Sequence, residues 1–129
     1  MSRYTAMFER LGEEGAFGAF VMLGDPDLHT SAANLDALVE AGADMIEVGI
    51  PFSDPVADGP VIQAAAQRAR AGGVRVGDCL DLIEALRARN NRVPIGILTY
   101  ANIVVARPGF MRTPSISSAR TLSLLIMRC

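Results

Sequence analysis

Apolar positions along the chain switch between two periods. Tyr4, Met7, Phe8 and Leu11 recur at helical spacing and stop at Gly12, which predicts a short opening helix. From Ala16 to Leu23 the period falls to two, with Gly18, Phe20 and Met22 on one face and Ala19, Val21 and Leu23 on the other. Gly24-Asp25-Pro26-Asp27 reads as a turn. A helix capped by Asp27 or Thr30 follows, its apolar stripe formed by Leu28, Ala32, Leu35, Leu38 and Val39, and it ends at Gly42. Met45–Ile50 is a second strand that places Ile46, Val48 and Ile50 opposite Met45, Glu47 and Gly49. Pro60 opens a helix that runs to Ala71 and is ended by Gly72-Gly73. Another spans Val76 to Ala88, striped by Val76, Cys79, Leu80, Ile83 and Leu86. Val93–Tyr100 is a third strand, with Gly96, Leu98 and Tyr100 on one face.

Strands alternating with helices build right-handed βαβ units and a parallel sheet. No glycine-rich phosphate loop follows any strand, which argues against a nucleotide-binding doubly wound fold. Phe20, Glu47 and Tyr100 instead recur toward the C-terminal ends of successive strands, where (β/α)8 barrels assemble their sites. The expected fold is therefore α/β, the N-terminal part (strands 1–3 and their helices) of a TIM barrel. A whole barrel takes about 250 residues, so an incomplete one is expected. Residues 111–121 have no useful period, although Leu122–Met127 is apolar enough for a fourth strand. The expected organisation is a partial barrel over 1–110 and a divergent tail over 111–129, from a shifted reading frame or a truncated gene model, with a genuine short variant as the alternative. A third strand without a neighbour would carry an open apolar edge.

Composition narrows the functional classes. The 129 residues suffice for one domain; half are apolar and 5% aromatic, as in an aliphatic-packed α/β protein. All fourteen acids fall within residues 1–84, while seven of the twelve arginines follow them, but these form no cluster with interleaved aromatics. That argues against nucleic-acid binding. No apolar run approaches the ~20 residues of a membrane span, and the start lacks a signal-peptide pattern. Two cysteines, Cys79 and Cys129, and one histidine, His29 in a polar turn, indicate neither a disulfide framework nor a metal site. A reducing cytoplasm fits.

Candidate chemistry centres on Glu47 and Asp58. A carboxyl inside an apolar strand loses hydration, so its pKa should rise and it can hold a proton near neutrality. Asp58, past a Pro/Ser/Asp-rich turn, should stay ionised, and two carboxyls driven apart make an acid and a base. The plainer alternative is that Glu47 is a solvent-facing or edge-strand residue.

The fourteen residues Ile46–Gly59 resemble the motif of the tryptophan synthase alpha chain family. The resemblance runs from about Tyr4 to Phe110, through Phe20-Val21-Met22-Leu23-Gly24-Asp25-Pro26, Glu40-Ala41-Gly42-Ala43-Asp44, Asp58-Gly59-Pro60-Val61-Ile62-Gln63 and Tyr100-Ala101-Asn102. It implies a TIM barrel and an aldol-type cleavage of indole-3-glycerol phosphate to indole and glyceraldehyde 3-phosphate. Glu47 would be the acid–base residue, Asp58 the acceptor of the indole N–H, and Phe20, Ile62, Leu98 and Tyr100 the pocket wall; plain core packing is the alternative for the last four. Asp54, Pro55 and Asn102 match the surface facing the beta chain in an α2β2 complex, where a rigid loop built on local turn bonds is the other reading. The alpha chain needs no cofactor, pyridoxal phosphate belonging to the beta chain. The family's phosphate-binding glycines, serine and lid lie in the second half of its barrel. The resemblance thus implies a chain inactive alone, with a non-catalytic remnant or beta-binding fragment as the alternative.

Overall fold

The computed structural model describes residues 2–112 and the backbone of residues 122–127. Five helices and four strands follow one another as α1 (Arg3–Leu11), β1 (Gly18–Met22), α2 (Leu28–Glu40), β2 (Met45–Gly49), α3 (Pro60–Ala71), α4 (Val76–Arg89), β3 (Ile95–Tyr100), α5 (Ala101–Ala106) and β4 (Leu122–Met127), with a 3-10 turn at Phe110–Arg112. The strands pair in the order β1-β2-β3-β4, all parallel. This is the expected α/β layout.

Local chemistry sets the boundaries. The Ser2 hydroxyl accepts the Thr5 N–H to start α1, and Gly12, at φ 61°, ends it. Asp27 caps α2 by accepting the Thr30 N–H at 2.7 Å and the Thr30 hydroxyl at 2.9 Å. These two bonds hold its carboxyl below the usual range. Pro60 occupies the first turn of α3, where a missing N–H costs nothing.

The two faces of the sheet differ. Ile46, Val48, Ile50, Ile95 and Ile97 are buried against Leu35 of α2 and Cys79, Leu80, Ile83 and Leu86 of α4. Alternation puts Phe20, Met22, Glu47, Gly49, Leu98 and Tyr100 on the opposite, inner face. There Met22 and Phe20 meet Ile62, Ala65 and Ala66 of α3 in a smaller apolar cluster.

Four readings of the sequence need revision. Leu28 is 37% exposed, whereas Ser31 is fully buried in α2 because its hydroxyl accepts the Gly24 N–H at 3.0 Å. A hydrogen-bonded hydroxyl replaces the apolar residue that the stripe called for. His29 is an exposed residue of α2 rather than part of a turn. Helix α5 was not anticipated, since Ala-Asn-Ile-Val-Val-Ala has β-branched residues and no side-chain cap. Finally, β3 does not present an open edge: β4 pairs with it from Ile95↔Leu122 to Tyr100↔Met127. Residues 113–121, the middle of the expected divergent tail, lie outside the described residues.

Candidate active site

The site lies on the inner face and the loop that leaves β2. Glu47 has Phe20 of β1 and Gly96 of β3 as its register partners. With glycine beside it, Glu47 has no neighbouring side chain on the β3 side of its own layer. One layer on, Met22, Gly49 and Leu98 align. A Cβ at Gly49 would stand 2.8 Å from the Phe20 ring and 3.0 Å from the Met22 methyl, so a larger residue would make those two side chains shift. Leu98 is half-buried, as are Phe20 and Ile62.

Glu47 departs from expectation. It is half-buried rather than enclosed, and among the described residues its carboxylate accepts no hydrogen bond. The desolvation expected of a buried strand residue is incomplete because helices α2 and α4 cover the other face of the sheet.

Asp58 is held more closely. The Tyr100 hydroxyl donates to Asp58 Oδ2 at 3.1 Å and accepts the Ala57 N–H at 3.1 Å. One buried phenol at the end of β3 therefore fixes both the carboxylate and the backbone that carries it. The ring of Phe52 packs on Tyr100 at 4.8 Å between centroids, tilted by 33°. Gln63 Nε2, in the first turn of α3, donates to the carbonyls of Asp58 at 2.8 Å and Pro55 at 3.3 Å. The loop is thereby tied to β3 on one side and to α3 on the other.

Phe52, Ala57 and Gln63 carry this support and were missed as site residues, since nothing in their spacing shows which carbonyl or ring they reach. Tyr100 was expected as pocket wall; the structure gives it a hydrogen bond to Asp58 as well. The expected partner-facing residues gather on the same end of the sheet. Asp54 is exposed and accepts the Ser53 hydroxyl at 2.6 Å; Pro55 is half-buried; Asn102 is exposed at the start of α5. Among the described residues no group of three His, Cys, Asp or Glu could hold a metal ion. Cys79 is not a usable nucleophile: burial, with the nearby Asp78 charge, pushes its thiol up to about 12.

Comparison with known proteins gives this geometry a family. The family model of the tryptophan synthase alpha chain matches residues 8–116. The tryptophan synthase alpha chain of Aeromonas hydrophila is 54% identical over 109 residues, covering 83% of this chain and 41% of that one. That of Escherichia coli is 53% identical over 106 residues, covering 81% and 40%. Tryptophan synthase subunit alpha from Legionella pneumophila superposes with a TM-score of 0.89 at 29% identity, covering 98% of this chain and 49% of that structure. An aminoacrylate-bound tryptophan synthase from Mycobacterium tuberculosis gives 0.85 at 36% identity, covering 98% and 51%. The chain thus spans about two-fifths of the length of the curated relatives it matches. Over that span, from the first helix past the third strand, this chain belongs to the tryptophan synthase alpha chain family.

Proposed function

We propose that this chain contributes the acid–base pair for cleavage of indole-3-glycerol phosphate into indole and glyceraldehyde 3-phosphate. The supporting observation is Asp58, whose carboxylate is oriented by the Tyr100 hydroxyl at the strand ends while Glu47 stands on the inner face of β2. In this reading Glu47, as the acid, delivers its proton to the indole ring carbon that bears the glycerol phosphate chain. Asp58 accepts the indole N–H and stabilises the positive charge that develops on the ring. The Glu47 carboxylate then takes the proton of the adjacent hydroxyl. The O–H electron pair forms the aldehyde carbonyl as the carbon–carbon bond breaks, and its electrons restore the aromatic ring. Phe20, Ile62, Leu98 and Tyr100 supply the apolar wall for the indole.

The four described strands are half of an eight-stranded barrel. The pair therefore works in a barrel closed by further strands, which would also supply the phosphate contacts, and the 129-residue chain alone does not turn over. Asp54, Pro55 and Asn102 would face the beta chain in an α2β2 complex, which carries the pyridoxal phosphate, and the working compartment would be the cytoplasm. No helix among the described residues is long and apolar enough to cross a membrane.

The second reading is a beta-binding piece without chemistry, favoured by the exposure of Asp54 and Asn102 on the strand-end surface. Indole release by the purified chain, with and without the beta chain, tests both. Robust turnover by the chain alone would refute the requirement for a closed barrel. Saturable binding to the beta chain without turnover supports the interface, and absence of both binding and turnover removes it.

A further inference from the structure

Among the described residues the sheet has two bare edges. β1 pairs with β2 alone and β4 with β3 alone, and all four strands run parallel. The Leu23 N–H donates to the Gly49 carbonyl at 2.9 Å, and the Phe17 carbonyl accepts the Met45 N–H at 3.3 Å. Main-chain groups of Phe17, Ala19, Val21 and Leu23 therefore serve β2, and those of Gly18 and Phe20 face away from it. A bare parallel edge is a template for another strand.

A groove of about 610 Å³ runs along this edge of β1, between α2 and α3. Its wall is mainly apolar and includes Phe20, Met22, Ala37, Leu38, Val61 and Ala65. Val61, in the first turn of α3, is 77% exposed, and Ala37 on α2 is exposed across from it. The groove holds one cation and one carboxylate, and they are matched: Arg68 donates to both oxygens of Asp25, at 2.8 and 2.7 Å. An incoming strand therefore meets apolar surface and no unpaired charge.

The distribution of charge selects the occupant. Residues 1–84, which include β1, α2 and α3, hold fourteen acids against five arginines, a balance of −9. Residues 85–129, which include β3 and β4, hold seven arginines and no acid, a balance of +7. The β1 edge thus belongs to the acidic part of the chain and the β4 edge to the basic part. A second copy set head to tail brings unlike parts together, whereas β1 against β1 would join two acidic parts. The strand number agrees, because four is half of the eight that close a small barrel around a side-chain-filled interior.

We propose that the groove beside β1 receives β4 of a second copy of this chain, whose own groove receives β4 of the first. The two seams are equivalent under a twofold axis, and the eight parallel strands form a ring without an edge. The second copy repeats the same strands and brings no phosphate contacts, so this closure accords with a 129-residue chain that does not turn over. It does not depend on the roles given to Glu47 and Asp58.

Sedimentation velocity of the full 129-residue chain across a dilution series tests this. One species of twice the 13.7 kDa chain mass is expected, dissociating to single chains on dilution. Val61→Asp and Ala37→Glu place a charge on opposite walls of the groove, and each should raise the dissociation constant roughly tenfold or more. Both residues are exposed in the single chain, and an acid suits the first turn of α3, so the variants keep the fold. Ala85→Glu, on the exposed side of the helix α4 that covers β2 and β3, should leave the dimer intact. Amide exchange at Phe20 and at alternate residues of β4 should slow together as concentration rises. A monomer at every concentration, a ladder of larger oligomers, or a dimer indifferent to both groove variants would each overturn the proposal. Slowing at Phe20 without slowing in β4 would overturn it too, since that marks a β1-to-β1 dimer.

Discussion

Tyr100→Phe isolates what the phenol oxygen contributes to the candidate site. The ring is 2% exposed and packs on Phe52, so removing one oxygen leaves the aromatic contact and opens no cavity of consequence. Two hydrogen bonds disappear, each 3.1 Å long: the one donated to Asp58 and the one accepted from Ala57. A bond to a charged group contributes roughly 1.5–3 kcal/mol, and a neutral one about 0.5–1.5 kcal/mol. Both bonds are long, Ala57 is exposed, and Asp58 is half-buried, so water replaces much of what is lost. The expected cost is about 1–2 kcal/mol, at or below the smallest value the two contributions would give together. Urea unfolding should show this as a lowered midpoint with an unchanged slope. The coupling follows from a double-mutant cycle with Asp58→Asn, which keeps the shape of the side chain and removes its charge. A coupling of about 1 kcal/mol is expected for side chains in direct contact. Additive effects within about 0.3 kcal/mol would refute the assignment of Tyr100 as the group that positions Asp58.

Three further outcomes are expected. Glu47→Gln, assayed in an assembly that releases indole, should reduce turnover by at least a thousandfold while leaving beta-chain binding intact; retained turnover would remove Glu47 from the chemistry. Gly49→Ala should destabilise the chain by about 1–3 kcal/mol, read from the urea midpoint, because the new methyl meets Phe20 at 2.8 Å and Met22 at 3.0 Å. Cys79 should make stability fall with pH: the unfolded thiol ionises above about 9, while the folded one stays protonated up to about 12. Between those values unfolding should become easier by at most about 1.4 kcal/mol per pH unit, and Cys79→Ala should remove that part of the slope.

Much of the fold was legible because burial and chain geometry repeat locally. The period of two in Ile46, Val48 and Ile50 is the core face of β2 as observed, and Cys79, Leu80, Ile83 and Leu86 are the buried side of α4. Gly12 and Pro60 mark helix boundaries because their backbones restrict or permit particular conformations wherever they occur. Ser31 and α5 escaped for the opposite reason. A buried serine is tolerated because the Gly24 N–H reaches it from a turn seven residues earlier. The β-branched run after Tyr100 becomes helical only after the strand has ended.

The candidate site divides in the same way. Glu47 and Asp58 stood out in the chain as carboxyls in unlike surroundings, one in an apolar strand and one in a turn. Their actual environments came from partners far along the chain: Phe20 and Gly96 beside Glu47, and Tyr100, forty-two residues away, on Asp58. Periodicity reports which face of an element is apolar, and local composition reports where the element stops. Distances between side chains on different elements depend on strand register and helix packing, and those are set when the whole sheet assembles.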